Sequence, residues 1–420
     1  MTLHTQSARS THLNAFKKTL SSLMVNGYAQ FGLALIFIVL IFMLRLQFRM
    51  TDGFLWGEDP GVFIDQAYNK GIASFFTAYA GYLHALPRLI AYLLAKVTPI
   101  TITPYAYVYA CVLVYAACAT YLFNAAKRLS GSILVAVGMA CTPFLVAQSG
   151  EVYLSITNLQ WVTAPVLLML FYDTFTKGAS RHAWGVRLAA LFILITTGPF
   201  ALLFTPVVAI VLWNNRDSLS SRYELSAMTV CAVAGFTQLT AMHFAAPVVQ
   251  DPSISHDWTH FSWVDEFLRN FVLELFIPVS KIGVWWKAAA LVMTAGLCLA
   301  ALFSRRRLTV LALLFLAVFM WAIGVYRADT PGITVHWYGY GARYVFVPYV
   351  FVAWAMLLAQ AGTLWRFRWL PILLLSLMCW TTYNSFEGGR WDKWTIEAVG
   401  NSTYKMKVAP GIEATVRDGR

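Results

Sequence analysis

The chain has 420 residues, of which 59% are hydrophobic and only 12% are charged, whereas about 25% of the residues in a typical soluble domain are charged. This composition excludes an ordinary soluble protein and leaves room for about ten membrane-spanning helices with their loops. The net charge of +12 does not indicate nucleic-acid binding, because the basic residues are scattered among short loops and form no single patch.

The first apolar run, 28–48, follows a polar segment, 1–27, and is too long for the hydrophobic part of a cleaved signal peptide. We therefore predict an uncleaved first span. The run 188–213 is interrupted by Gly198-Pro199, and since proline breaks a helix, we predict a helical hairpin with its tip at 197–199. The remaining apolar runs predict one span each, at 103–126, 132–148, 160–176, 225–246, 286–303, 308–326, 343–362 and 369–385.

These spans predict an all-α fold, a polytopic transmembrane bundle of about 11 crossings. With the N-terminus placed in the cytoplasm, the inner loops hold about half of the Lys and Arg but only three acids, Asp173, Asp217 and Glu224. Arg45 and Arg49 lie at the outer end of the first span, against this rule. The pattern favours the inner (plasma) membrane of a bacterium, with most acids on the outer face.

The predicted transmembrane domain, 28–385, has three long outer connections, 49–102, 247–285 and 327–342, and an outer C-terminal tail follows at 386–420. Within the first connection the apolar stretch 83–97 has both ends outside. We therefore predict that it forms a helix lying along the membrane interface.

Two adjacent acids, Glu58 and Asp59, follow the first span and precede a Pro-Gly pair. Asp59 suits the N-cap of a helix that begins at the proline, but a carboxylate at the membrane surface also suits a general base or a metal ligand. Further along, His84 and Arg88 are four residues apart and would share one face of a helix, subject to a kink at Pro87. They are typical either of an interfacial anchor or of a site for a phosphate headgroup.

In the second outer loop, Glu151 is the only charged residue between Arg128 and Asp173, and Asn158 and Gln160 lie at the start of the next span. Polar groups at membrane depth are costly and tend to be functional. A solvated loop acid explains Glu151 equally well, so both interpretations stay open.

Late in the chain, His336 and Tyr340 precede a span and Arg343 enters it. Arg343 either extends its head group to the interface or grips phosphate with its planar guanidinium. The sequence contains no P-loop, no GxSxG elbow and no HExxH motif. No pair of charged residues lies in the middle of a span, which argues against an ion-driven transporter.

Together these features resemble the GT-C superfamily of multi-pass glycosyltransferases, which share many spans, a large first outer loop with interfacial helices and an acidic motif early in that loop. Glu58-Asp59 is similar to that motif in position and type. The resemblance covers about residues 50 to 350 and stops beyond Phe386. Phrases similar to those of bacterial members are GYLHALPR (81–88), EVYLSITNLQW (151–161), TGPFALLFTP (197–206) and ARYVFVP (342–348).

The resemblance implies an inverting transferase that moves a sugar from a polyprenyl-phosphate donor to an envelope glycan or other acceptor at the outer face of the membrane. It implies a catalytic acid at Glu58 or Asp59. We predict no required cofactor and leave a divalent cation open. A phosphate leaving group needs no strong general acid, so one base and cations that stabilise the phosphate suffice.

We predict Asp59 as the base, Glu58 as its orienting partner or acceptor ligand, and Glu151 as the second choice for the base. Phosphate binding by Arg88 or Arg343 follows from the chemistry of these side chains. The predicted substrate-binding residues are His84, Arg88, Asn158, Gln160, His336, Tyr340 and Arg343.

Two other functions fit the sequence less well. A transporter or flippase of lipid-linked sugars or polysaccharides needs a polar path across the membrane, for which the spans offer little beyond Gln238, His243 and the Gly198-Pro199 break. A non-catalytic assembly subunit does not need the carboxylates. Substitution of Glu58 and Asp59 therefore separates an acid-dependent enzyme from a subunit of this kind.

Overall fold

The computed structural model describes residues 26–176, 184–216, 222–245, 262–278, 281–327, 337–338, 341–362, 368–387, 394–400, 402–409 and 411–419. Within this part of the chain the fold is almost entirely helical, with one small sheet near the C-terminus. Two predicted substrate-binding residues, His336 and Tyr340, lie outside the described residues.

The helices of the first half are α1 (Gly27–Arg45), α2 (Gln47–Asp52), α3 (Asp65–Asn69), α4 (Ala85–Val97), α5 (Thr103–Ser130), α6 (Ile133–Leu145), α7 (Leu159–Thr176), α8 (Trp184–Ile195), α9 (Phe200–Leu203) and α10 (Thr205–Asn214). The second half contributes α11 (Arg222–Phe244), α12 (Trp263–Glu266), α13 (Glu274–Phe276), α14 (Trp286–Leu302), α15 (Arg307–Arg327), α16 (Ala342–Gly362) and α17 (Trp369–Asn384). A π-helical turn, Asp59–Ile64, leads directly into α3, and a second, Phe267–Leu273, joins α12 to α13. The strands are β1 (Thr395–Gly400), β2 (Thr403–Val408) and β3 (Ile412–Arg417).

Six helices in the described part of the chain are long and apolar enough to cross a membrane, namely α1, α5, α11, α14, α15 and α16. They confirm a helical membrane bundle. The prediction of about 11 crossings is not confirmed, because several apolar runs form short helices: α6 has 13 residues, α8 has 12 and α10 has 10. A straight spanning helix needs about 20 residues.

The predicted helix break at Gly198-Pro199 is confirmed, since α8 ends at Ile195 and α9 begins at Phe200. Gly198 has a φ of +86°, and a Cβ at this position would lie only 2.4 Å from Gln160 Oε1. Glycine is therefore required here both by the backbone conformation and by the close approach of α7.

The most buried spanning helix is α16, since 78% of its most apolar segment is buried, against 17% in α1. α15 packs along α16, and α6 and α7 also contact it. On α1 the large side chains of Ile36, Leu40 and Leu44 are exposed. A row of exposed apolar residues on a long helix suits contact with lipid.

Helix α5 connects the two ends of the bundle. At one end Asp173 binds Arg128 of α5 (2.7 Å) and Arg187 (3.0 Å). At the other end the Phe54 amide of the connection 49–102 donates to the Pro104 carbonyl at the start of α5 (3.3 Å). α5 has 28 residues, or about 42 Å at 1.5 Å per residue. The two ends are therefore separated by more than the thickness of a hydrocarbon core.

The apolar stretch 83–97 forms a helix, α4, as predicted. It buries Arg88 and Ala91 and exposes Leu93 and Val97 on another face. An amphipathic helix of this kind is suited to the predicted position at the membrane interface.

Part of the second long connection, 247–285, packs into the bundle instead of forming an open loop. Phe271 is buried and stacks on Trp321 of α15, with 5.7 Å between the ring centroids. The Tyr349 hydroxyl of α16 donates to the Asn270 carbonyl (3.1 Å). The helical segment 263–276 therefore contributes to the core.

The C-terminal tail, 386–420, for which the sequence predicted no structure, contains a sheet. Its strands are antiparallel in the order β1-β2-β3. Met406, Val408 and Val416 are fully buried on its inner face. The Trp394 indole, just before β1, donates to the Asp52 carbonyl at the end of α2 (3.0 Å). The sheet thus lies against the connection 49–102.

Candidate functional site

The predicted site residues come from segments that are far apart in sequence. They lie on the connection 49–102, which we call the first loop, on the loop 146–158 between α6 and α7, and at the starts of α7 and α16. The charges of Glu58 and Glu151 influence each other, and Tyr79 and Tyr82 lie within electrostatic range of Arg343. We name this end of the bundle the carboxylate site, defined by Glu58, Asp59, Tyr79, Tyr82, Glu151, Thr157, Gln160 and Arg343.

Asp59 is completely buried, and both of its carboxylate oxygens accept hydrogen bonds. Oδ2 accepts the Trp56 amide (2.7 Å), and Oδ1 accepts the Thr157 hydroxyl (2.6 Å) and amide (3.4 Å). Burial raises the pKa of Asp59 to about 7, although these hydrogen bonds oppose the shift. This enclosed carboxylate joins two loops, a geometry that suits a positioning residue better than the predicted base.

The turn around Asp59 also closes on itself, because the Asp59 amide donates to the Trp56 carbonyl (2.7 Å). The π-helical turn begins at Asp59, with Pro60 in its first turn. The Asp59 side chain bonds backwards to Trp56 instead of forwards to the helix amides. The start of a helical turn at this position is therefore confirmed, whereas an N-cap hydrogen bond from Asp59 is not formed.

Glu58 is partly exposed, unlike its neighbour. The Tyr79 hydroxyl donates to Glu58 Oε1 (2.9 Å), whereas Oε2 is a buried atom without a hydrogen-bond partner among the described residues. Burial and the adjacent Glu58 charge raise the pKa of Tyr79 well above its ordinary value, so the phenol remains a donor. A carboxylate that is oriented through one oxygen and unoccupied at the other can accept a proton.

Glu151 is completely buried and grips the start of α16. Arg343 Nη1 donates to Glu151 Oε1 (2.6 Å), and the Arg343 backbone amide donates to Oε2 (3.1 Å). Burial raises the pKa of Glu151 to about 7, against the lowering effect of Arg343. The Arg343 side chain is 32% exposed. The pair therefore presents a partly accessible cation that is held from behind by a carboxylate.

The loop that carries Glu151 is held by Arg45 and Arg49, the two arginines that oppose the predicted orientation. Both are buried, and burial lowers the pKa of Arg49 to about 9. The position of these two arginines, which the positive-inside rule disfavours, has a structural reason. They donate hydrogen bonds to backbone carbonyls that have no partner within a helix. Arg45 donates to the carbonyls of Phe144, Val146 and Gln148, at 2.9 to 3.2 Å. Arg49 donates to the carbonyls of Gly150 (2.5 Å) and Tyr153 (2.6 Å).

His84 and Arg88 are enclosed within the first loop, each only 1% exposed. Burial, with a smaller effect of Arg88, lowers the pKa of His84 to about 3, so this imidazole is neutral at pH 7. Arg88 Nη1 donates to Gln66 Oε1 (2.9 Å), and its guanidinium lies over the Phe63 ring (5.6 Å). Of the two arginines predicted to bind phosphate, only Arg343 is accessible.

Asn158 and Gln160 support the site from behind. Asn158 Nδ2 donates to the Glu151 carbonyl (2.9 Å), which shapes the loop. Gln160 Nε2 donates to the Tyr82 hydroxyl (3.2 Å) and so connects α7 to the first loop. These contacts give both residues a structural role, although Gln160 Oε1 is a buried atom without a hydrogen-bond partner among the described residues, and their binding of substrate stays a prediction.

Sequence reasoning did not assign roles to Thr157, Tyr79 and Tyr82. All three lie in stretches that were already singled out for other residues, but nothing near Tyr79 and Tyr82 indicated a carboxylate partner, because no acidic residue lies between Asp65 and Glu151. Gln238 also has a structural role, because its Oε1 accepts a hydrogen bond from the Leu83 amide (3.3 Å) and its Nε2 donates to the Gly198 carbonyl (2.9 Å). It ties the first loop to the turn between α8 and α9.

Among the described residues, no group of three or more His, Cys, Asp or Glu side chains is arranged to hold a metal ion. No protein-family model matches the chain. No curated protein matches it at a significant level. The resemblance to glycosyltransferases therefore depends on the residues and phrases of this sequence.

Proposed function

We propose that the chain is a membrane-embedded inverting glycosyltransferase that uses a polyprenyl-phosphate sugar as donor and acts at the carboxylate site. One observation carries the proposal. Glu58, a carboxylate with one unoccupied oxygen, lies in a site whose partly accessible cation, Arg343, is held by a buried carboxylate. A base and a phosphate-binding cation are the two groups that the transfer reaction needs.

In the proposed reaction Glu58 removes the proton from the acceptor hydroxyl. The acceptor oxygen forms a bond to the anomeric carbon while the bond from that carbon to the phosphate oxygen breaks. The lipid phosphate leaves with the electron pair, and Arg343 stabilises the charge that develops on it. The proton passes from Glu58 to solvent, which restores the carboxylate.

The two buried acids act indirectly in this scheme. Asp59 ties the turn before the π-helix to Thr157, and Glu151 fixes the direction of the Arg343 guanidinium. This assignment exchanges the roles predicted for the adjacent acids, because Asp59 is enclosed and Glu58 is not.

We place the carboxylate site on the outer face of a bacterial inner membrane. The opposite end of the bundle carries Arg128 and Arg187, as the positive-inside rule favours for a cytoplasmic face. A lipid-linked donor fits an outer site, since nucleotide sugars remain in the cytoplasm whereas a flipped lipid carrier reaches the outer leaflet.

The test is a transfer assay in liposomes with the purified full chain and a panel of polyprenyl-phosphate sugars. Glu58→Gln keeps the shape of the side chain and should lower turnover by about 10²-fold or more. Asp265→Asn is the matched control, because Asp265 is a 45% exposed acid of helix α12 that pairs with Lys287 (3.1 Å). Wild-type turnover that Glu58→Gln leaves unchanged excludes Glu58 as the base. Movement of lipid without turnover of any donor favours a transporter instead.

A further inference from the structure

The C-terminal sheet contacts the chain directly beside the adjacent acids. The Gly57 amide donates to the Ala409 carbonyl (2.6 Å), and Trp56 and Ala409 form a parallel bridge. A Cβ on Gly57 would lie 3.2 Å from Ile412 Cδ1. The end of β2 and the start of β3 therefore fit closely against the residue before Glu58.

A second contact lies on the other side of the acids. The Arg417 amide of β3 donates to Asp65 Oδ1 (3.3 Å), and Asn69 Nδ2 of α3 donates to the Arg417 carbonyl (3.1 Å). The sheet thus binds the chain both before and after the π-helical turn that begins at Asp59. A rigid body that holds a turn at both ends restricts the backbone between them.

Glu58 is the residue between these fixed points. On one side Gly57 is bound to Ala409, and on the other side Asp59 is bound to Trp56 and Thr157. Its side chain is bound only at Oε1, by Tyr79, among the described residues. The direction of the Glu58 carboxylate therefore depends on where its backbone is held.

We propose that the C-terminal sheet is a positioning element of the carboxylate site, in which the Ala409 carbonyl and the Ile412 side chain set the backbone of Gly57 and so aim the Glu58 carboxylate. The inference rests on the proposed function, because catalysis is what the aim of Glu58 serves. It assigns a role to a part of the chain that lies beyond the resemblance to glycosyltransferases.

The packing of the sheet supports this role. A small sheet needs a buried apolar face to be stable. Here Met406, Val408, Ala409 and Val416 are all fully buried. The outer face is polar and carries the exposed Lys405–Glu413 pair (2.9 Å). The inner face thus docks firmly, and a firmly docked sheet can transmit its position to Gly57.

The test uses the full chain and a pair of compensating substitutions. Gly57→Val introduces methyl groups toward Ile412 and should lower kcat by about 10-fold or more with little change in KM, because misplacement of a base by about 1 Å is costly. Gly57→Val combined with Ile412→Ala should recover most of kcat, since the smaller side chain gives the space back. Gly61→Val is the matched control, because a Cβ on Gly61 meets nothing within 4 Å.

Two readouts separate a positioning role from simple loss of structure. KM should stay near the wild-type value in Gly57→Val while kcat falls, and kcat should return in the double variant, since a misaimed base slows the transfer without weakening substrate binding. Amide hydrogen exchange should rise together at 54–66 and 403–417 in Gly57→Val. Faster exchange in both segments with unchanged kcat would overturn the inference. If wild type turns over no donor, the proposed function fails. If exchange in Gly57→Val does not rise together in the two segments, the positioning role of the sheet is overturned whatever the turnover.

Discussion

Removing the Arg343 guanidinium tests how the buried Glu151 carboxylate is stabilised. Arg343→Met keeps an apolar side chain of similar length but removes the Nη1 donor that lies 2.6 Å from Glu151 Oε1. Even beside Arg343, burial raises the pKa of Glu151 from 4.5 to about 7. Without the arginine this pKa rises further. The folded variant then keeps a proton at pH values at which the unfolded chain has lost it.

The sign and size of the effect follow from this difference in bound protons. When the folded state holds the extra proton, the free energy of unfolding falls as the pH rises. In wild type the fall due to Glu151 ends near pH 7. In Arg343→Met the free energy of unfolding continues to fall above pH 7, by about 1.4 kcal/mol per pH unit. The total fall is limited to roughly 3–5 kcal/mol, the cost typical of a buried charge without its partner. The difference between the two proteins should therefore be smallest at pH 6 and grow by about 3 kcal/mol by pH 9.

Thermal unfolding in detergent, followed by the fluorescence of the 16 tryptophans, measures this difference between pH 6 and pH 9. The double variant Arg343→Met/Glu151→Gln should lose the pH dependence, because it has no carboxyl to titrate at this position. Arg327→Met, at an exposed position near the same end of the bundle, is the matched control. A destabilisation by Arg343→Met that is equal at every pH would refute the reasoning.

Three further substitutions test the supports of the site. Asp59→Asn replaces one acceptor oxygen by an NH₂ group, so at least one of the three hydrogen-bond donors to this side chain loses its acceptor. We expect a loss of about 1–3 kcal/mol at pH 5. In thermal unfolding the loss should shrink toward pH 8, because the wild-type carboxyl, with its pKa raised by burial to about 7, destabilises the fold as it ionises. Gly198→Ala places a methyl group 2.4 Å from Gln160 Oε1 at a position with a positive φ. The substitution should lower the free energy of unfolding by about 1–3 kcal/mol. Adding Gln160→Ala should recover only the part of this loss that is due to the steric clash. Arg45→Met removes the donor to three carbonyls. It should lower Tm more than Arg45→Lys does, since charge-assisted hydrogen bonds contribute about 1.5–3 kcal/mol each. Equal Tm values for the two variants would contradict this role.

The membrane bundle was predictable because long apolar runs have few alternatives to a spanning helix. The break at Gly198-Pro199 and the helix over 83–97 were also visible in the pattern. The end of the predicted span 132–148 was wrong, because α6 stops at Leu145. The carbonyls at its end accept hydrogen bonds from Arg45, which lies about a hundred residues earlier in the chain. A hydropathy pattern does not report a contact of this kind.

The positions of the site residues were predictable, but their roles depended on distant contacts. Which of the two adjacent acids is buried is decided by Thr157, 98 residues away from Asp59. The C-terminal sheet had a local signal that was overlooked. Met406 and Val408 alternate with Lys405 and Lys407, which is typical of a strand with one buried face. Its docking partner at Gly57 had no such signal.

The hydrogen bond between Arg417 and Asp65 joins residues that are 352 positions apart. At a synthesis rate of about 5–20 residues per second, the first loop waits roughly 20–70 s for this partner to be made. Until then the acidic turn lacks one of its anchors. A premature stop codon or a proteolytic cut before β3 would therefore leave the carboxylate site without this anchor. Assembly of the site thus waits for a strand that is made long after the loop it holds.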